Sequence, residues 1–201
     1  TATSKTFTKE TLEEAKKYTD ITTNINQIQS PKEAIHPNTI YCISLNASTL
    51  EDSPVGRISE KSGNASFRYI LSAIEYAQKK EVDAVVTNPI NKESLKKARI
   101  NYPGHTEIFA HQTDTQNYSM MFLLEKVAVV HVTTHCSLRE AIALITQQKV
   151  LNNIRLLNST LKKMGISDPR IAVGGLNPHA GENGMFGQEE IDHINPAIAS
   201  A

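Results

Sequence analysis

Short apolar runs alternate with amphipathic stretches along most of the chain. Runs rich in apolar and β-branched residues, typical of strands, occupy 39–45, 82–87, 118–124, 127–132 and 170–173. Helical spacing or composition is found at 8–18, 66–80, 91–98, 138–146, 149–164 and 189–198. Because strands that alternate with helices usually form a largely parallel sheet, the pattern predicts an α/β fold.

Local signals add detail to this pattern. Thr8 is placed to cap the first helix, and Gly165 is placed to end the helix that precedes it. The polar stretch 20–38 is expected to be an irregular connection. The last helical pattern reaches Ala201 without a stop signal. Since parallel strands are covered on both faces, we expect the natural chain to continue past this end.

Composition and charge exclude several classes of protein. Lys plus Arg and Asp plus Glu both number 21, and this zero net charge is unlike the basic surface of a nucleic-acid-binding protein. No apolar run approaches the ~20 residues that cross a bilayer, and residues 1–10 lack the apolar core of a signal peptide. Cys42 and Cys136 show neither zinc-site nor disulfide spacing. We therefore expect a cytoplasmic protein with no membrane or nucleic-acid partner.

Lys92 is the first residue with a candidate chemical role. The predicted strand 82–87 leads through Asn88 and Pro89 into the expected start of a helix. Backbone N–H groups at a helix N-terminus favour anions, and Lys92 would add a positive charge there. This is an unfavourable place for a cation in terms of helix stability. Lys92 is therefore a candidate for catalytic handling of charge or protons, with an exposed first-turn lysine as the alternative.

Two further loops follow predicted strands and carry histidines. His131, Thr133 and His135 share one face if the strand 127–132 continues, and His135 then lies at its carboxyl end, where open α/β sheets bind ligands. His131 lies deeper and is expected in the core. The loop 173–184 holds four glycines, which allow close approach of backbone to a ligand, and it presents His179. A plain turn is the alternative for this loop.

A third histidine loop lies at Gly104-His105-Thr106-Glu107. His105 suits ligand contact or a structural hydrogen bond equally well, and Thr106 suits a helix N-cap. Neutral imidazole is the commonest metal ligand in proteins. Two or three of His105, His135 and His179 converging on one cleft would form an open metal site. The remaining histidines at 36, 111 and 193 have no such setting and are expected at the surface.

At these residues the sequence resembles the 4-hydroxythreonine-4-phosphate dehydrogenase family. The match is carried by 87–92, 104–107, 133–135 with 138–139, and 175–182 with Gly187, Glu189 and Glu190, and Gly63 matches a family glycine. The block 175–190 is long and specific. The resemblance covers the chain from about residue 40 onward, and more loosely before it.

The resemblance implies a fold similar to that of isocitrate and isopropylmalate dehydrogenases, with two α/β domains around a cleft, in a homodimer that shares its active site. We expect 1–100 to belong to the first domain and 101–201 to the second, with the metal and substrate site at the cleft. The family's opening Gly-Asp-Pro-rich loop and its downstream His-Asp-Gln segment are both missing from the sequence. We therefore expect the fold to be truncated at both ends.

The resemblance also implies an activity: NAD(P)-dependent oxidation of 4-phosphooxy-L-threonine to 2-amino-3-oxo-4-phosphooxybutanoate. Loss of carbon dioxide then gives 3-amino-2-oxopropyl phosphate, a step of pyridoxal 5'-phosphate (pyridoxine) biosynthesis. By the match, His135 and His179 are ligands of a divalent metal (Zn, Mg or Co), and the third ligand histidine lies further along the family's chain. His105 and Thr106 match substrate-contacting residues. Cofactor-binding residues are unassigned, because no Gly-x-Gly-x-x-Gly follows a strand.

Three alternatives stay open. Relatives in the family act on other four-carbon acid phosphates, such as D-threonate or D-erythronate 4-phosphate, and the motifs do not separate these substrates. A metal-dependent hydrolase would use Glu182 as general base beside His179 and would need no NAD. A non-catalytic binding module would need neither metal nor cofactor.

Overall fold

The computed structural model describes residues 3–5, 8–45, 47 and 56–201. The chain divides into two compact units after Asp114. The predicted domain boundary after residue 100 differs from this division, because the helix at His105–Gln112 packs in the first unit. The assignment of the units to the two domains of the fold remains a prediction.

Within its described residues the first unit contains a parallel sheet, four α-helices and a short 3-10 helix. In chain order the strands and α-helices are β1 (Thr3–Lys5), α1 (Lys9–Lys16), β2 (Asn24–Ile28), β3 (Thr39–Ile43), α2 (Glu60–Gln78), α3 (Lys92–Lys97) and α4 (His105–Gln112). The 3-10 helix, at Pro31–Glu33, lies between β2 and β3. The strand order is β1-β3-β2, with β3 parallel to both neighbours. The α/β class predicted from the sequence is confirmed.

One apolar cluster holds α2 against the sheet. Ile28, Tyr41 and Ile43 are buried together, and Tyr76 of α2 packs against them. A second cluster joins Ile70 and Ile74 of α2 to Ile108 of α4, with Phe67 and Tyr102 at its edge. The rings of Phe67 and Tyr102 stack with centroids 6.0 Å apart. These contacts fix the start of α4, where two of the predicted site residues lie.

The helix α3 is held against α2 at a glycine. A β-carbon at Gly63 would lie 2.0 Å from the carbonyl oxygen of Ser94, so only glycine allows this approach. The Ser62 hydroxyl also donates to Oγ of Ser94 at 3.2 Å. This close packing fixes the position of α3, whose first residue is Lys92.

The second unit contains a small antiparallel hairpin and three helices within its described residues. In chain order these are β4 (Met121–Leu123), β5 (Ala128–Val130), α5 (Leu138–Ala143), α6 (Gln147–Lys163), two irregular helical turns (Pro178–Gly184 and Glu190–Ile194) and α7 (Asn195–Ala199). Its core cluster joins Ile145, Val150 and Leu151 to Ile194 and Ala197.

The predicted end signals of two helices are confirmed. Thr8 caps α1 by accepting the N–H of Thr11. Gly165 follows α6 at a φ of +94°, and the next N–H, of Ile166, donates to the carbonyl of Leu161 at 3.0 Å. This is the glycine-terminated arrangement that satisfies the last carbonyls of a helix.

Three predictions of local structure were wrong. The runs 82–87 and 170–173 are not strands, because neither forms a ladder with another described segment. Val86 is 93% exposed, so the first of these runs is not buried on both faces. The stretch 20–38, expected to be irregular, contains β2, in which Ile25 and Ile28 are buried and the polar residues between them are exposed. In the part of the chain described here, no helix is long and apolar enough to cross a membrane.

Candidate functional site

Lys92 begins α3 and is exposed. The side chain of Asn91 caps this helix by accepting the N–H of Ser94 at 2.8 Å, and Ser94 and Leu95 are buried beneath it. Lys92 forms no hydrogen bond or ion pair with another described residue. The structure therefore leaves the ammonium group available, and its catalytic role remains a prediction.

His105 is the first residue of α4, and the cap of this helix is Gly104 without a side-chain bond. The predicted capping role of Thr106 is therefore wrong, because Thr106 lies inside the first turn. Partial burial lowers the pKa of His105 from its ordinary value of 6.5. The imidazole is consequently neutral at pH 7, with one nitrogen that donates and one that accepts.

Glu107 is a neighbouring residue that sequence reasoning did not single out for chemistry. Its Oε2 atom is buried and has no hydrogen-bond partner among the described residues. A β-carbon at Gly104 would lie 3.5 Å from this oxygen, in ordinary contact. The start of α4 thus combines a neutral imidazole with a buried carboxylate oxygen that accepts no hydrogen bond from the described part of the chain.

His135 lies in a turn and not on a strand. The strand β5 ends at Val130, and His135 has a φ of +56°, so the expected strand face of His131, Thr133 and His135 was wrong. The expected burial of His131 was also wrong: its ring is exposed and meets the ring of Phe122 edge-on at 5.4 Å. His135 is exposed, with no hydrogen bond from its ring to another described residue.

The helix α5, which follows His135, has a capped N-terminus. Ser137 caps α5 by accepting the N–H of Glu140 at 3.3 Å, and the Glu140 carboxylate accepts the N–H of Ser137 at 2.9 Å. The Ser137 N–H, and after it the Ser137 hydroxyl that also donates to this carboxylate at 2.9 Å, lower the pKa of Glu140. The reciprocal cap fixes the backbone two residues after His135.

His179 begins a left-handed helical turn. Five consecutive residues from His179 to Asn183 have φ between +45° and +79°, and only Gly181 among them is a glycine. Left-handed backbone costs roughly 1–2 kcal/mol for each residue with a β-carbon, so other contacts must stabilise this turn. Such strain is concentrated at functional sites in proteins. The loop therefore differs in its backbone from an ordinary tight turn, and its role in ligand binding stays a prediction.

Glu190 holds the backbone just before that turn. Its Oε1 atom accepts the backbone N–H groups of Leu176 and Asn177, each at 2.7 Å, and its Oε2 atom accepts the Asn177 side-chain amide at 2.8 Å. Glu190 is only 4% exposed. The bonds from Asn177, its side chain first, hold the pKa of Glu190 below its ordinary value. Sequence reasoning missed this contact, because it joins residues more than ten positions apart.

The loops that carry His135 and His179 rest on one apolar cluster. Val132, before His135, and Val173, before the glycine-rich loop, both pack against the cluster of Ile145, Val150, Leu151, Ile194 and Ala197. His179 also lies beside Phe186, with ring centroids 6.1 Å apart. Like His135, the His179 ring is exposed and makes no hydrogen bond to another described residue.

The donor chemistry of these two residues fits a divalent metal. Imidazole nitrogen suits Zn²⁺ and Co²⁺. Both rings are exposed, and their nitrogens make no hydrogen bond to a residue that the structure describes. Within the described residues, however, no group of three or more His, Cys, Asp or Glu side chains is gathered closely enough to hold an ion. His135 and His179 therefore supply at most part of a ligand set.

Comparisons with known proteins identify the family of the chain. The sequence model of the family described as "Pyridoxal phosphate biosynthetic protein PdxA" matches residues 3–201. The chain is 44% identical to a protein of Oceanobacillus iheyensis and 40% identical to one of Clostridium botulinum, both named "Putative D-threonate 4-phosphate dehydrogenase". Each alignment covers 94% of this chain but only 58% and 57% of the relative.

A solved structure shows the same likeness in three dimensions. The 4-hydroxythreonine-4-phosphate dehydrogenase of Klebsiella pneumoniae superposes with a TM-score of 0.89 at 38% identity, over 98% of this chain and 60% of that one. The chain thus spans somewhat more than half the length of the relatives it matches. The family resemblance predicted from the sequence is confirmed, and the chain belongs to the PdxA family, the family of 4-hydroxythreonine-4-phosphate dehydrogenases.

Proposed function

We propose that the full-length protein is an NAD(P)- and divalent-metal-dependent dehydrogenase of pyridoxine biosynthesis. Its substrate is 4-phosphooxy-L-threonine, which it oxidises to 2-amino-3-oxo-4-phosphooxybutanoate, the precursor of 3-amino-2-oxopropyl phosphate. In this proposal it acts in the cytoplasm as a homodimer. The observation that carries the proposal is a pair of exposed imidazoles without a hydrogen bond to any described residue, on two loops of one apolar cluster, in a chain that belongs to this family.

In this proposal His135 and His179 hold the metal, with a third histidine ligand expected further along the full-length chain. When bound, a divalent metal lowers the pKa of a hydroxyl oxygen that it coordinates and stabilises negative charge there. The two histidines would orient the metal through turns that their surroundings fix. The capped N-terminus of α5 follows His135. Leu176 and Asn177, whose N–H groups donate to Glu190, precede His179.

In this proposal His105 and Thr106 contact the substrate. The neutral imidazole of His105 presents both a donor and an acceptor to a hydroxyl or carboxylate. Thr106 places a hydroxyl in the first turn of α4, where the helix N-terminus favours anionic groups. Lys92 would handle charge or protons through its available ammonium group. Residues that bind the dinucleotide remain unassigned.

A second candidate substrate is D-threonate 4-phosphate, because the curated relatives at 40–44% identity carry that name. The two substrates have the same four-carbon phosphorylated skeleton, and they differ in whether carbon 2 carries an amino or a hydroxyl group. D-erythronate 4-phosphate belongs to the same class. No observation favours the hydrolase alternative that uses Glu182.

A substrate panel tests the proposal. The metal-loaded full-length protein is mixed with 4-phosphooxy-L-threonine, D-threonate 4-phosphate or D-erythronate 4-phosphate, each with NAD and with NADP, and formation of the reduced cofactor is followed. We expect the highest kcat/KM with 4-phosphooxy-L-threonine. A higher value with D-threonate 4-phosphate would select the second candidate. No reduced cofactor with any substrate would reject a dehydrogenase of this class.

A further inference from the structure

We propose that Glu190 is a positioning residue that fixes the left-handed turn carrying His179. The inference rests on the proposed function, in which His179 is a metal ligand. Glu190 does not follow His179 directly: it lies in the helical turn Glu190–Ile194, whose last residue is part of the apolar cluster. The carboxylate therefore connects the loop to the core of its unit.

The hydrogen bonds of Glu190 define where the turn begins. Leu176 and Asn177 donate their N–H groups to the same oxygen, and Asn177 Nδ2 donates to the other. The same Nδ2 also donates to Glu189 Oε2 at 2.7 Å. The left-handed turn starts two residues later, at His179. Its first backbone hydrogen bond runs from the N–H of Ala180 to the carbonyl of Asn177 at 3.1 Å. Because the bonds to Glu190 hold Asn177, the acceptor of this bond has a fixed position.

Two glycines show how closely the loop surrounds the carboxylate. A β-carbon at Gly175 would lie 3.3 Å from Glu190 Oε1, and one at Gly181 would lie 3.0 Å from Oε2. Gly181 is itself buried at a φ of +79°, and its carbonyl accepts the N–H of Phe186 at 3.1 Å. The loop is thus wrapped around one buried acidic group. Both carboxylate oxygens must accept hydrogen bonds, because each partner of Glu190 among the described residues is an N–H donor.

Replacement by glutamine tests this requirement with little change of shape. A glutamine side chain offers one acceptor oxygen and one amide nitrogen, so Glu190→Gln opposes an N–H donor with another donor at one of the two positions. Asp192→Asn is the matched control, since it removes the same charge from an exposed position two residues away. Asn177→Ala is a milder second variant that removes only the side-chain amide.

Amide hydrogen exchange in the full-length protein is the first measurement. In Glu190→Gln the amides of Leu176 and Asn177 should exchange roughly tenfold faster or more, because they lose an anionic acceptor. The amides of Val150 and Leu151 in α6 should keep their wild-type rates, and Asp192→Asn should change neither set. Unchanged exchange at Leu176 and Asn177 would overturn the proposal. So would an equal increase across α6, since Glu190 would then act only on global stability.

Zinc affinity is the second measurement, made by competition with a chromogenic chelator. Residues that support metal ligands typically change metal affinity by about 10- to 100-fold, and Glu190→Gln should weaken zinc binding in that range. Asn177→Ala should weaken it less, and the Asp192→Asn control should match the wild type. Wild-type affinity in Glu190→Gln would overturn the role in metal binding. If Glu190→Gln does not fold, wild-type affinity in Asn177→Ala has the same consequence.

The two measurements separate this inference from the proposed function. If His179→Ala binds zinc like the wild type, the metal assignment of the proposed function is wrong. The exchange of the Leu176 and Asn177 amides then decides by itself whether Glu190 fixes the turn. If His179→Ala loses zinc and Glu190→Gln does not, the metal site stands and only the positioning role is wrong.

Discussion

His135 and His179 share a backbone feature that separates them from the other histidines of the described chain. Both have positive φ, at +56° and +53°, a conformation that is uncommon for residues with a β-carbon. Both rings are exposed and make no bond to another described residue. An uncommon backbone conformation that presents an unbonded ring is unlike the setting of a structural histidine. The structure thus distinguishes these two histidines by backbone conformation and exposure, which sequence spacing alone did not do.

Replacement of either imidazole should therefore remove the metal. In the full-length protein we expect His135→Ala and His179→Ala each to abolish zinc binding and turnover, because an incomplete set of ligands holds a metal poorly. Alanine keeps the β-carbon, so the strain of the turn should change little, and each variant should unfold at the midpoint of the metal-free wild type. His36→Ala, at an exposed position outside both loops, is the control. Wild-type zinc content in both variants, measured by elemental analysis, would reject the assignment.

His105 gives a prediction on pH. Its pKa is lowered by burial, so the folded state disfavours the protonated ring. Below the ordinary value of 6.5 the unfolded chain binds a proton that the folded chain resists. The contribution to stability is thus fully present above that value and is lost as pH falls through it. In His105→Gln, urea unfolding should show a shallower loss of stability between about pH 7.5 and pH 5.5. The same slope as the wild type would contradict the burial of this ring.

At the scale of elements, the contact between α2 and α3 depends on Gly63. In an ordinary helix interior, glycine to alanine stabilises by roughly 1 kcal/mol. At this position the new β-carbon would lie 2.0 Å from the Ser94 carbonyl oxygen, so the two helices must separate. We expect Gly63→Ala to destabilise the protein by about 1–3 kcal/mol in denaturant unfolding, as overpacked sites do.

Gly174→Ala is the matched control for Gly63. A β-carbon there would meet nothing within 4 Å, and its φ lies outside the left-handed region. Its stability should stay within about 0.5 kcal/mol of the wild type, as for most surface substitutions. Equal stability of the two variants would show that α3 moves aside at little cost, and the position of Lys92 would then not be fixed by this contact.

Helix ends could be predicted from the sequence more reliably than strands. Thr8 and Gly165 were predicted correctly because capping depends on residues within one helical turn. The runs 82–87 and 170–173 were predicted as strands from apolar composition, but a strand also needs a partner, which composition does not reveal. The strand β2 was missed for the opposite reason: its polar residues conceal two buried isoleucines, and pairing with β3 forms it.

At the scale of the whole molecule, the sequence indicated the family, while the contacts that support the candidate site were not predicted. Residues 87–92, 104–107, 133–135 with 138–139, and 175–182 were recognised by motif, and the family they indicated is confirmed. The left-handed turn at His179 and its bonds to Glu190 were not predicted. They depend on a packed core that brings residue 190 back to residue 176, and no local pattern of the loop contains that information.

Metal removal tests the proposed chemistry on the intact protein. Dialysis of the full-length protein against a chelator should abolish formation of the reduced cofactor from 4-phosphooxy-L-threonine. Zinc or cobalt should restore it more fully than magnesium at equal concentration, because imidazole ligands suit the first two ions and magnesium prefers oxygen. Since the bound ion stabilises only the folded state, the metal-free protein should also unfold at a lower temperature. Full activity after exhaustive removal, or complete recovery with magnesium alone, would contradict a site built on His135 and His179.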